Sequence, residues 1–407
     1  MSEFQRDLNT GRMSLIASTR ARWLVTRVPL AILWALTVAV FAVAGAASAQ
    51  LRVWVPQGPG PSTNGQVEGI TDGQVVGAIH ALAAHPSNPN TLFVGGVNGG
   101  IWRTDNALAT SPSWTAQTDA LGSLSIGALA FDPTDTSSRT LVAGVGLFSN
   151  IGGAGGQLAG VYRTTDGGAN WAPVAGNATL ANANIAGIAA RGNLLVVADT
   201  VNGIWRSIDT GASWTRISGA LGSGLPNGPS FDLAGVTGTP GRLFTNAGGA
   251  GIFRSTDTGA TWTAVSTAAM NALLGTGLQN VQISTGAANS CFVAIAGAAL
   301  RGVFRSGDGG GSWAAMDLPG TTEAGLGFVG IHFGGQAGNN LSLVADPTAT
   351  NIVYIGGDRQ PNPFPNSIGA NNFTGRLFRG NAGQPAGSQF VHLTHASNAG
   401  AAGGGTA

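Results

Sequence analysis

The stretch that decides the fold is IFRSTDTGATWTAV, residues 252–265. An apolar run ends in an aromatic residue and an arginine, a polar turn follows, and a tryptophan opens the next apolar run. The turn itself is STDTGATW (255–262), and it recurs as TTDGGANW (164–171), SIDTGASW (207–214), SGDGGGSW (306–313) and a stretched RTDNALATSPSW (103–114). A unit repeated every few tens of residues predicts an architecture of stacked repeats.

The repeat is larger than this turn. Each unit also has an apolar first strand such as GAIHALAAHP (77–86), a second such as TLFVGG (91–96), and a third that carries the aromatic–arginine pair. Four short antiparallel strands per unit predict the blade of a β-propeller. The marker arginines of the six visible units are Arg103, Arg163, Arg206, Arg254, Arg305 and Arg379. The sixth unit, GRLFRGNAGQPAGSQF (375–390), keeps the strand and the arginine but lacks the turn.

The predicted fold is therefore an all-β propeller of four-stranded antiparallel blades over residues 50–395. The six blades either form a six-bladed ring or belong to a larger or seven-bladed one. We expect the second, because an open ring leaves an unpaired sheet edge. Val53-Trp54-Val55 can supply a closing strand but not a whole blade. The Gly/Ala-rich residues 396–407 are interpreted as a tail and a point of truncation.

Residues 1–49 read as a targeting segment. Arg20, Arg22 and Arg27 precede the apolar stretch 28–47, and Ala47-Ser48-Ala49 forms a small-x-small cleavage site. This pattern predicts a signal peptide cleaved after Ala49 and a secreted or periplasmic protein. In the alternative, residues 28–47 remain uncleaved and anchor the chain in a membrane.

Composition excludes several classes of function. Only 9% of the 407 residues are charged, and 66 are glycine. The part that follows Ala49 carries 14 arginines and 16 acidic residues, a net charge of −2. Such a balance argues against a nucleic-acid partner. The single cysteine, Cys291, excludes an internal disulfide framework and a cysteine-based metal site.

The recurring turn resembles the Asp-box, or BNR, repeat S/T-x-D-x-G-x-T/S/N-W of sialidase-like β-propellers. In those families the boxes lie at the periphery, away from the active site. In such a turn the aspartate accepts hydrogen bonds from its own loop and the glycine takes a positive φ. The resemblance thus implies a structural role for Asp105, Asp166, Asp209, Asp257 and Asp308. The aromatic residues of the third strands, Trp102 to Phe378, are expected in the core.

Function is expected at the opposite ends of the blades, where three loops exceed what the repeat requires. They are residues 146–160, 317–340 and 358–375. Excess loop on a rigid scaffold is where binding and catalysis concentrate. The candidate catalytic residues are Asp199, Glu323 and Asp358. The candidate ligand-binding residues are His332, Arg359 and Asn98.

Two enzyme families provide a test of these candidates. Sialidases need an arginine cluster and a tyrosine nucleophile, and sialidase activity is not expected because Tyr162 and Tyr354 both lie in strands. The segment HPSNPNTLFVGGVNGGIWRT (85–104) resembles the first blade of the family 74 xyloglucanases. The catalytic aspartate of that family falls here on Val97, which cannot transfer a proton. Asp199, in VVADTVNGIWR (196–206), lies near the equivalent place two blades later.

Two hypotheses of function remain open from the sequence. In the first, a secreted propeller binds or hydrolyses a glycan, a polysaccharide or glycoprotein, through its loop-rich face. In the second, the chain is a non-catalytic extracellular scaffold for protein interactions. A weaker third hypothesis rests on resemblance to photosystem II stability factors, which share such blades. No cofactor and no metal site are predicted, although a structural calcium ion fits propellers of this kind.

Overall fold

The computed structural model describes residues 72, 77–149, 152–236 and 238–395. All of these fall within one compact unit, Gly60–Ala407. The predicted signal peptide, the strand at Val53-Trp54-Val55 and the tail at 396–407 lie outside the described residues. Among the described residues, no helix combines the length and the apolar character needed to cross a membrane.

Within the described residues, six four-stranded antiparallel sheets follow one another, each with its strands in sequence order. The first three blades contain β1 (Ile79–Ala84), β2 (Leu92–Gly96), β3 (Ile101–Thr104), β4 (Thr115–Ala116), β5 (Ile126–Phe131), β6 (Leu141–Val145), β7 (Val161–Thr164), β8 (Ala172–Pro173), β9 (Ile185–Arg191), β10 (Leu194–Asp199), β11 (Gly203–Ser207) and β12 (Thr215–Arg216). A 3-10 helix, Asn177–Leu180, precedes the third blade.

The chain then continues through three more blades and a hairpin. These elements are β13 (Leu233–Gly235), β14 (Leu243–Asn246), β15 (Ile252–Ser255), β16 (Thr263–Ala264), α1 (Ala268–Leu273), β17 (Asn280–Thr285), β18 (Cys291–Ala296), β19 (Leu300–Ser306), β20 (Ala314–Met316), β21 (Gly320–Glu323), β22 (Gly327–Gly330), α2 (Ala337–Asn340), β23 (Ser342–Ala345), β24 (Ile352–Arg359), β25 (Gly375–Asn381) and β26 (Phe390–His392). The prediction of a propeller with four-stranded antiparallel blades is confirmed, with six blades present.

Neighbouring blades contact each other through the first strand of each blade. β1 contacts β5, β5 contacts β9, and the series continues through β13, β17 and β23. Each blade therefore has its first strand innermost and its fourth strand outermost. Because the strands run up and down, the turns between first and second and between third and fourth strands share one face, here called the box face. The remaining connections form the opposite face, here called the loop face.

Close approach of the blades explains part of the glycine content. A Cβ atom at Gly95 of β2 would lie 2.4 Å from Cγ2 of Ile126 in the next blade. At Gly144 of β6 it would lie 2.3 Å from Cγ2 of Ile185. Both isoleucines are fully buried. A residue larger than glycine would hold these blades apart. The two glycines therefore allow the close spacing of neighbouring blades.

The box turns of blades 2 to 5 share one hydrogen-bond pattern. In the third blade, Asp209 Oδ1 accepts from Ser207 Oγ at 2.7 Å and from the backbone N–H of Ser213 at 2.9 Å. Asp166, Asp257 and Asp308 accept from the hydroxyl two residues earlier and from the N–H four residues later, at 2.8 Å and 2.9 Å in every case. The aspartates close their own turns, and all four are exposed or half-buried.

In blade 1 the neighbour of the predicted aspartate takes this position. Asn106 Oδ1 accepts from Thr104 Oγ1 at 2.8 Å and from the N–H of Ser113 at 2.9 Å. Asp105 instead forms an ion pair with Arg103, 2.8 Å from Nη2, and accepts from Thr91 Oγ1 at 2.9 Å. The role predicted for Asp105 is therefore performed by Asn106. Thr104, the last residue of the strand IWRT, takes the place of the Ser or Thr that begins the turn in the other blades. The residue two positions later, which accepts the hydrogen bonds of the turn, is therefore Asn106 and not Asp105.

The marker arginines join consecutive blades on the box face. Arg103 Nη1 donates to the carbonyl of Gly167 at 2.7 Å, in the box turn of the next blade. Arg206 donates to the carbonyl of Thr258 and Arg254 to that of Gly309, at 2.8 Å and 2.9 Å. Each acceptor occupies the same position of its turn. This contact accounts for the arginine at the end of the third strand in blades 1, 3 and 4.

The two end blades are buried on one side only. Strand β1 alternates between buried Ala81 and Ala83 and exposed Leu82, whereas β5 and β9 are buried along most of their length on both faces. Strand β23 alternates in the same way, and its Val344 is 57% exposed. Trp102, expected in the core, is 37% exposed for this reason. The prediction of a larger ring stays a prediction.

Candidate functional site

Two insertions dominate the loop face, one between blades 5 and 6 (317–341) and one between β24 and β25 (360–374). Sequence reasoning treated the first as a loop. It contains the hairpin β21–β22 and the short helix α2. Gly320 to Glu323 pair with Gly327 to Gly330 in register. The two insertions meet, and the candidate residues Glu323, His332, Asp358 and Arg359 lie in or beside them.

Glu323 joins the two insertions. Its Oε2 accepts from the backbone N–H of Ser367 at 2.7 Å, and its Oε1 accepts from Ser367 Oγ at 2.9 Å and from the hydroxyl of Thr321. Burial acts to raise the pKa of Glu323, but these hydrogen bonds outweigh it and hold the pKa below its usual value. The buried side chain of Glu323 is therefore ionised. It links the two insertions and does not act as a proton donor.

Asp358 has the same role for the segment before α2. Its Oδ1 accepts from the N–H of Gly334 and its Oδ2 from the N–H of Gln336, both at 3.0 Å. A Cβ atom at Gly334 would lie 3.0 Å from Asp358 Oδ2 and 3.1 Å from Arg359 Nε. Only glycine allows the backbone to approach both side chains this closely. Asp358 therefore fixes the course of the loop at 334–336.

Arg376 is the buried cation of this region, with 2% of its surface exposed. It donates to the carbonyl of Gly330 and to Thr321 Oγ1, both at 2.6 Å. Because the Thr321 hydroxyl also donates to Glu323, two hydrogen bonds through this hydroxyl connect the Arg376 guanidinium to the Glu323 carboxylate. Sequence reasoning missed this arginine. One signal existed: the residue three positions before the marker arginine is glycine in five units and arginine in the sixth.

His332 is 5% exposed, and neither ring nitrogen has a hydrogen-bond partner. Burial lowers its pKa to about 4; the Asp358 carboxylate opposes this shift, and the Arg376 guanidinium adds to it. The imidazole is neutral near pH 7. It packs as part of the interior beneath the insertions and does not face a ligand.

The other two candidates lie elsewhere. Asp199, fully buried at the end of β10, accepts from the N–H groups of Asn184 and Val201 at 3.1 Å and 3.0 Å, and from Asn202 Nδ2 at 2.8 Å. Asn98 donates to the carbonyl of Ala154 at 3.1 Å and accepts from Ser125 Oγ at 2.7 Å. Both fix connections of the first three blades. The structure does not bring them to the insertions of blade 6.

A cleft of about 510 Å³ opens on the loop face beside the first insertion. Its volume lies within the range of about 300–1,000 Å³ typical of ligand pockets. Among the described residues, no charged side chain lines it. The lining consists of Phe231, Leu278, Gln279, Gly335, Gln336, Gly338 and Asn339. Gln336 belongs to the segment that Asp358 holds, so the buried carboxylate and the cleft share one loop.

Asp232 follows the cleft residue Phe231 and was not singled out from the sequence. It accepts from the N–H of Leu233 and, across the blade boundary, from that of Ile283, both at 2.7 Å. Burial raises its pKa to about 7, against the effect of these two hydrogen bonds. Both oxygens of Asp232 thus serve backbone N–H groups, as those of Asp358 do. In the sequence, the segment around Asp232, FDLAGV (231–236), indicates only a strand.

Histidine and carboxylate side chains do not assemble into a metal site in the described part of the chain. His80 stacks on Phe148 with ring centroids 4.0 Å apart, and burial lowers its pKa to about 4. Nδ1 of His85 accepts from the N–H of Asn88 at 3.1 Å. These histidines have structural partners.

Comparisons with known proteins agree on the fold. No protein-family model and no curated protein sequence matches the chain. Among solved structures, the GH74 xyloglucanase from Xanthomonas campestris aligns with a TM-score of 0.53 at 18% identity, over 78% of this chain and 45% of that chain. The GH74 enzyme from Niastella koreensis aligns with a TM-score of 0.51 at 18% identity and the same coverage.

A structure of YCF48 bound to D1 peptide also aligns, with a TM-score of 0.46 at 15% identity, over 78% of this chain and 82% of that chain. The chain thus spans less than half the length of the two GH74 structures. At these identities the likeness shows a shared β-propeller fold and no more.

Proposed function

We propose that this chain is a binding propeller that holds a polysaccharide in the cleft of its loop face without cleaving it. The observation that carries the proposal is how the carboxylates of this face are used. Asp199, Glu323 and Asp358 are buried, and every one of their oxygens accepts a hydrogen bond, most of them from backbone N–H groups of the loops. They fix the loops, and burial keeps them from a substrate.

The lining of the cleft supports a sugar as the ligand. The amide side chain of Gln279 offers both donors and an acceptor, as hydroxyl groups require, and Gln336 offers its NH₂ group, while its Oε1 accepts from Asn340 Nδ2 at 2.8 Å. Phe231 adds an aromatic ring and Leu278 an aliphatic surface, against which the C–H face of a sugar ring can pack. A mixed polar and aromatic cleft without charged lining favours a sugar over a charged peptide.

Export supports the same assignment. The pattern of residues 1–49 predicts delivery outside the cytoplasm, where polysaccharides are encountered. The xyloglucanase named among the structural neighbours makes xyloglucan a reasonable first probe.

The test is affinity gel electrophoresis of the purified chain in xyloglucan, mixed-linkage glucan and arabinoxylan, with reducing ends assayed in parallel. We expect retardation in at least one gel and no release of reducing ends. Phe231→Ala and Gln279→Ala should abolish retardation. Gln117→Ala, in a groove on the box face, is the matched control and should leave it unchanged.

Two outcomes would change the proposal. If no gel retards a protein whose circular dichroism shows the native fold, the sugar ligand is wrong and the interaction-scaffold hypothesis takes its place. If reducing ends are released, the chain is an enzyme. Loss of release in Asp232→Asn would then identify the carboxyl group that titrates near neutrality as its acid.

A further inference from the structure

Arg359 forms an unusual feature at the edge of the second insertion. It ends β24, its side chain is exposed, and its guanidinium contacts two phenyl rings. The guanidinium carbon is 5.2 Å from the ring centroid of Phe333 and 4.8 Å from that of Phe373. Phe364 packs edge-on against Phe373, with centroids 4.9 Å apart and an interplanar angle of 74°. Three aromatic side chains thus hold one surface arginine.

The donors of this guanidinium are not used within the described part of the chain. Arg359 takes part in no hydrogen bond or ion pair among these residues, in contrast to Arg376 and Arg103. The adjacent carboxylate, Asp358, is committed to the N–H groups of Gly334 and Gln336. The guanidinium is therefore held by ring contacts, while its N–H groups are not committed to another described residue.

An arginine held in this way is suited to one kind of ligand. Its five N–H groups form a planar fork that matches a carboxylate through two parallel hydrogen bonds. An exposed arginine normally loses side-chain freedom when it binds, which weakens binding. Contacts with two rings have already restricted Arg359, so less freedom remains to be lost.

The position of Arg359 connects it to the cleft. The segment 333–339 begins with Phe333, which contacts the guanidinium, and ends with Gln336 and Asn339, which line the cleft. A chain of sugar residues lying across this segment would meet neutral amides on one side and a cation on the other. The cleft itself has no charged lining among the described residues, so a charged group on such a ligand would find its counter-ion at Arg359 and not in the cleft.

The geometry points to Arg359 as a subsite for the carboxylate of a uronic acid residue, so that the ligand is an acidic polysaccharide. This inference rests on the proposed function and adds the chemical class of the sugar. A sulfate ester would also be attracted to a cation, but it is not planar and matches the fork less well.

The experiment compares one polymer in two charge states. Dissociation constants are measured by affinity electrophoresis in polygalacturonate and in fully methyl-esterified polygalacturonate, which has the same backbone without the charge. We expect the wild-type chain to bind the acid form at least about tenfold more tightly, since a good charge-assisted pair contributes more than about 1.4 kcal/mol. Dextran sulfate serves as the arm for charge alone and should bind more weakly than polygalacturonate.

Substitutions test the role of the fork and of the rings. Arg359→Gln should remove the preference for the acid form and leave binding of the ester unchanged. Arg359→Lys keeps the charge without the fork and should retain only part of the preference, and Phe373→Ala should reduce it as well. Arg139→Gln removes an exposed arginine from the box face and is the matched control.

The outcomes separate this inference from the proposed function. Equal affinity for the two forms, or an Arg359→Gln variant that keeps the preference, overturns the uronate subsite. If neutral glucans still bind in a manner that depends on Phe231 and Gln279, the proposed function stands without it. If no polysaccharide binds to the folded chain, both fail. Dextran sulfate binding as tight as polygalacturonate binding would also overturn the carboxylate assignment.

Discussion

The carboxylates of the box face and those of the loop face do similar work under opposite conditions. Asp209 on the box face is exposed and accepts from residues two and four positions away. Glu323 on the loop face is buried and accepts from Ser367, 44 positions away. A box aspartate closes its own turn, whereas Glu323 joins two separate insertions.

Stability and function are coupled on the loop face and not on the box face. A broken box turn disturbs a few residues at the rim, because its hydrogen bonds are local. A broken contact at Glu323 or Asp358 loosens an insertion at a point where it is joined to a distant segment. The loop face should therefore lose order and ligand binding together, while the box face should lose only local order.

The largest effect is expected for Glu323→Ala. This change leaves the buried Arg376 without the carboxylate to which Thr321 links it, and it leaves Ser367 without its acceptor. Breaking a buried charged network costs about 3–5 kcal/mol. Urea unfolding followed by tryptophan fluorescence gives the loss of unfolding free energy.

The matched change on the box face is Asp257→Ala, which removes local hydrogen bonds at an exposed turn. We expect a loss of about 1 kcal/mol, because water replaces the lost partners. Losses of equal size in the two variants would show that the two sets of carboxylates are not different in kind.

The second effect is a difference in pH dependence between the two faces. The pKa of His332 is about 4 in the folded chain, below the value of about 6.5 for a free histidine. The unfolded chain therefore gains a proton first as the pH falls. Stability should decrease from about pH 6.5 to about pH 4, by up to about 3 kcal/mol for this group.

Box aspartates respond only at lower pH. Hydrogen bonds from Asn170 and Thr164 lower the pKa of Asp166 to about 2, so its stabilising contribution is lost as the pH falls from about 3.8 to about 2. His80 titrates in the same range as His332, so the difference between wild type and His332→Phe isolates the loop-face histidine. An unchanged slope of unfolding free energy between pH 6.5 and 4 in His332→Phe would contradict the assignment.

A third, smaller effect separates Asp358 from Asp308 when each is changed to asparagine. At Asp358 both oxygens accept a backbone N–H, so one donor must face an amide NH₂ group, at a cost of about 1–3 kcal/mol. At Asp308 the turn should tolerate the change with a loss below about 1 kcal/mol, because blade 1 already uses Asn106 at that place. Thermal unfolding of the pair, together with polysaccharide binding, measures the contrast.

Only Asp358→Asn should weaken binding, since its loop borders the cleft. Weakened binding in Asp308→Asn would show instead that the box face contributes to the ligand site.

The smallest effect is expected for Asn106→Asp, which restores the usual acid of the turn in blade 1. The change should be neutral or stabilising within about 0.5 kcal/mol, as is usual at an exposed site. Asp105→Ala, which removes the surface ion pair with Arg103, should cost less than about 1 kcal/mol. If Asp105→Ala were the more harmful by several kcal/mol, the position given to Asn106 in the turn would be wrong.

These contrasts show how far the sequence could lead. The box turns and blades were predictable because their hydrogen bonds and strand pairings connect residues close in the chain, as at Asp166 and Asn170. The single-residue shift from Asp105 to Asn106 was missed because the Thr-Asp pair was aligned instead of the strand before it. The loop face was located only as excess length. Contacts such as Glu323 with Ser367 depend on the fold of two insertions that follow no repeat.

The residues of the cleft were missed for a related reason. Phe231, Gln279 and Gln336 come from three different connections, and none belongs to a motif. Arg359 was selected from its loop, but the rings of Phe333 and Phe373 that hold it became visible only in three dimensions.

The most direct measurement is affinity electrophoresis of the wild-type chain across the neutral and acidic polysaccharides, with reducing ends assayed in the same samples. We expect retardation of the wild-type chain that depends on Phe231 and Gln279, with no release of reducing ends. A folded protein that no polysaccharide retards, or one that releases reducing ends, would contradict it.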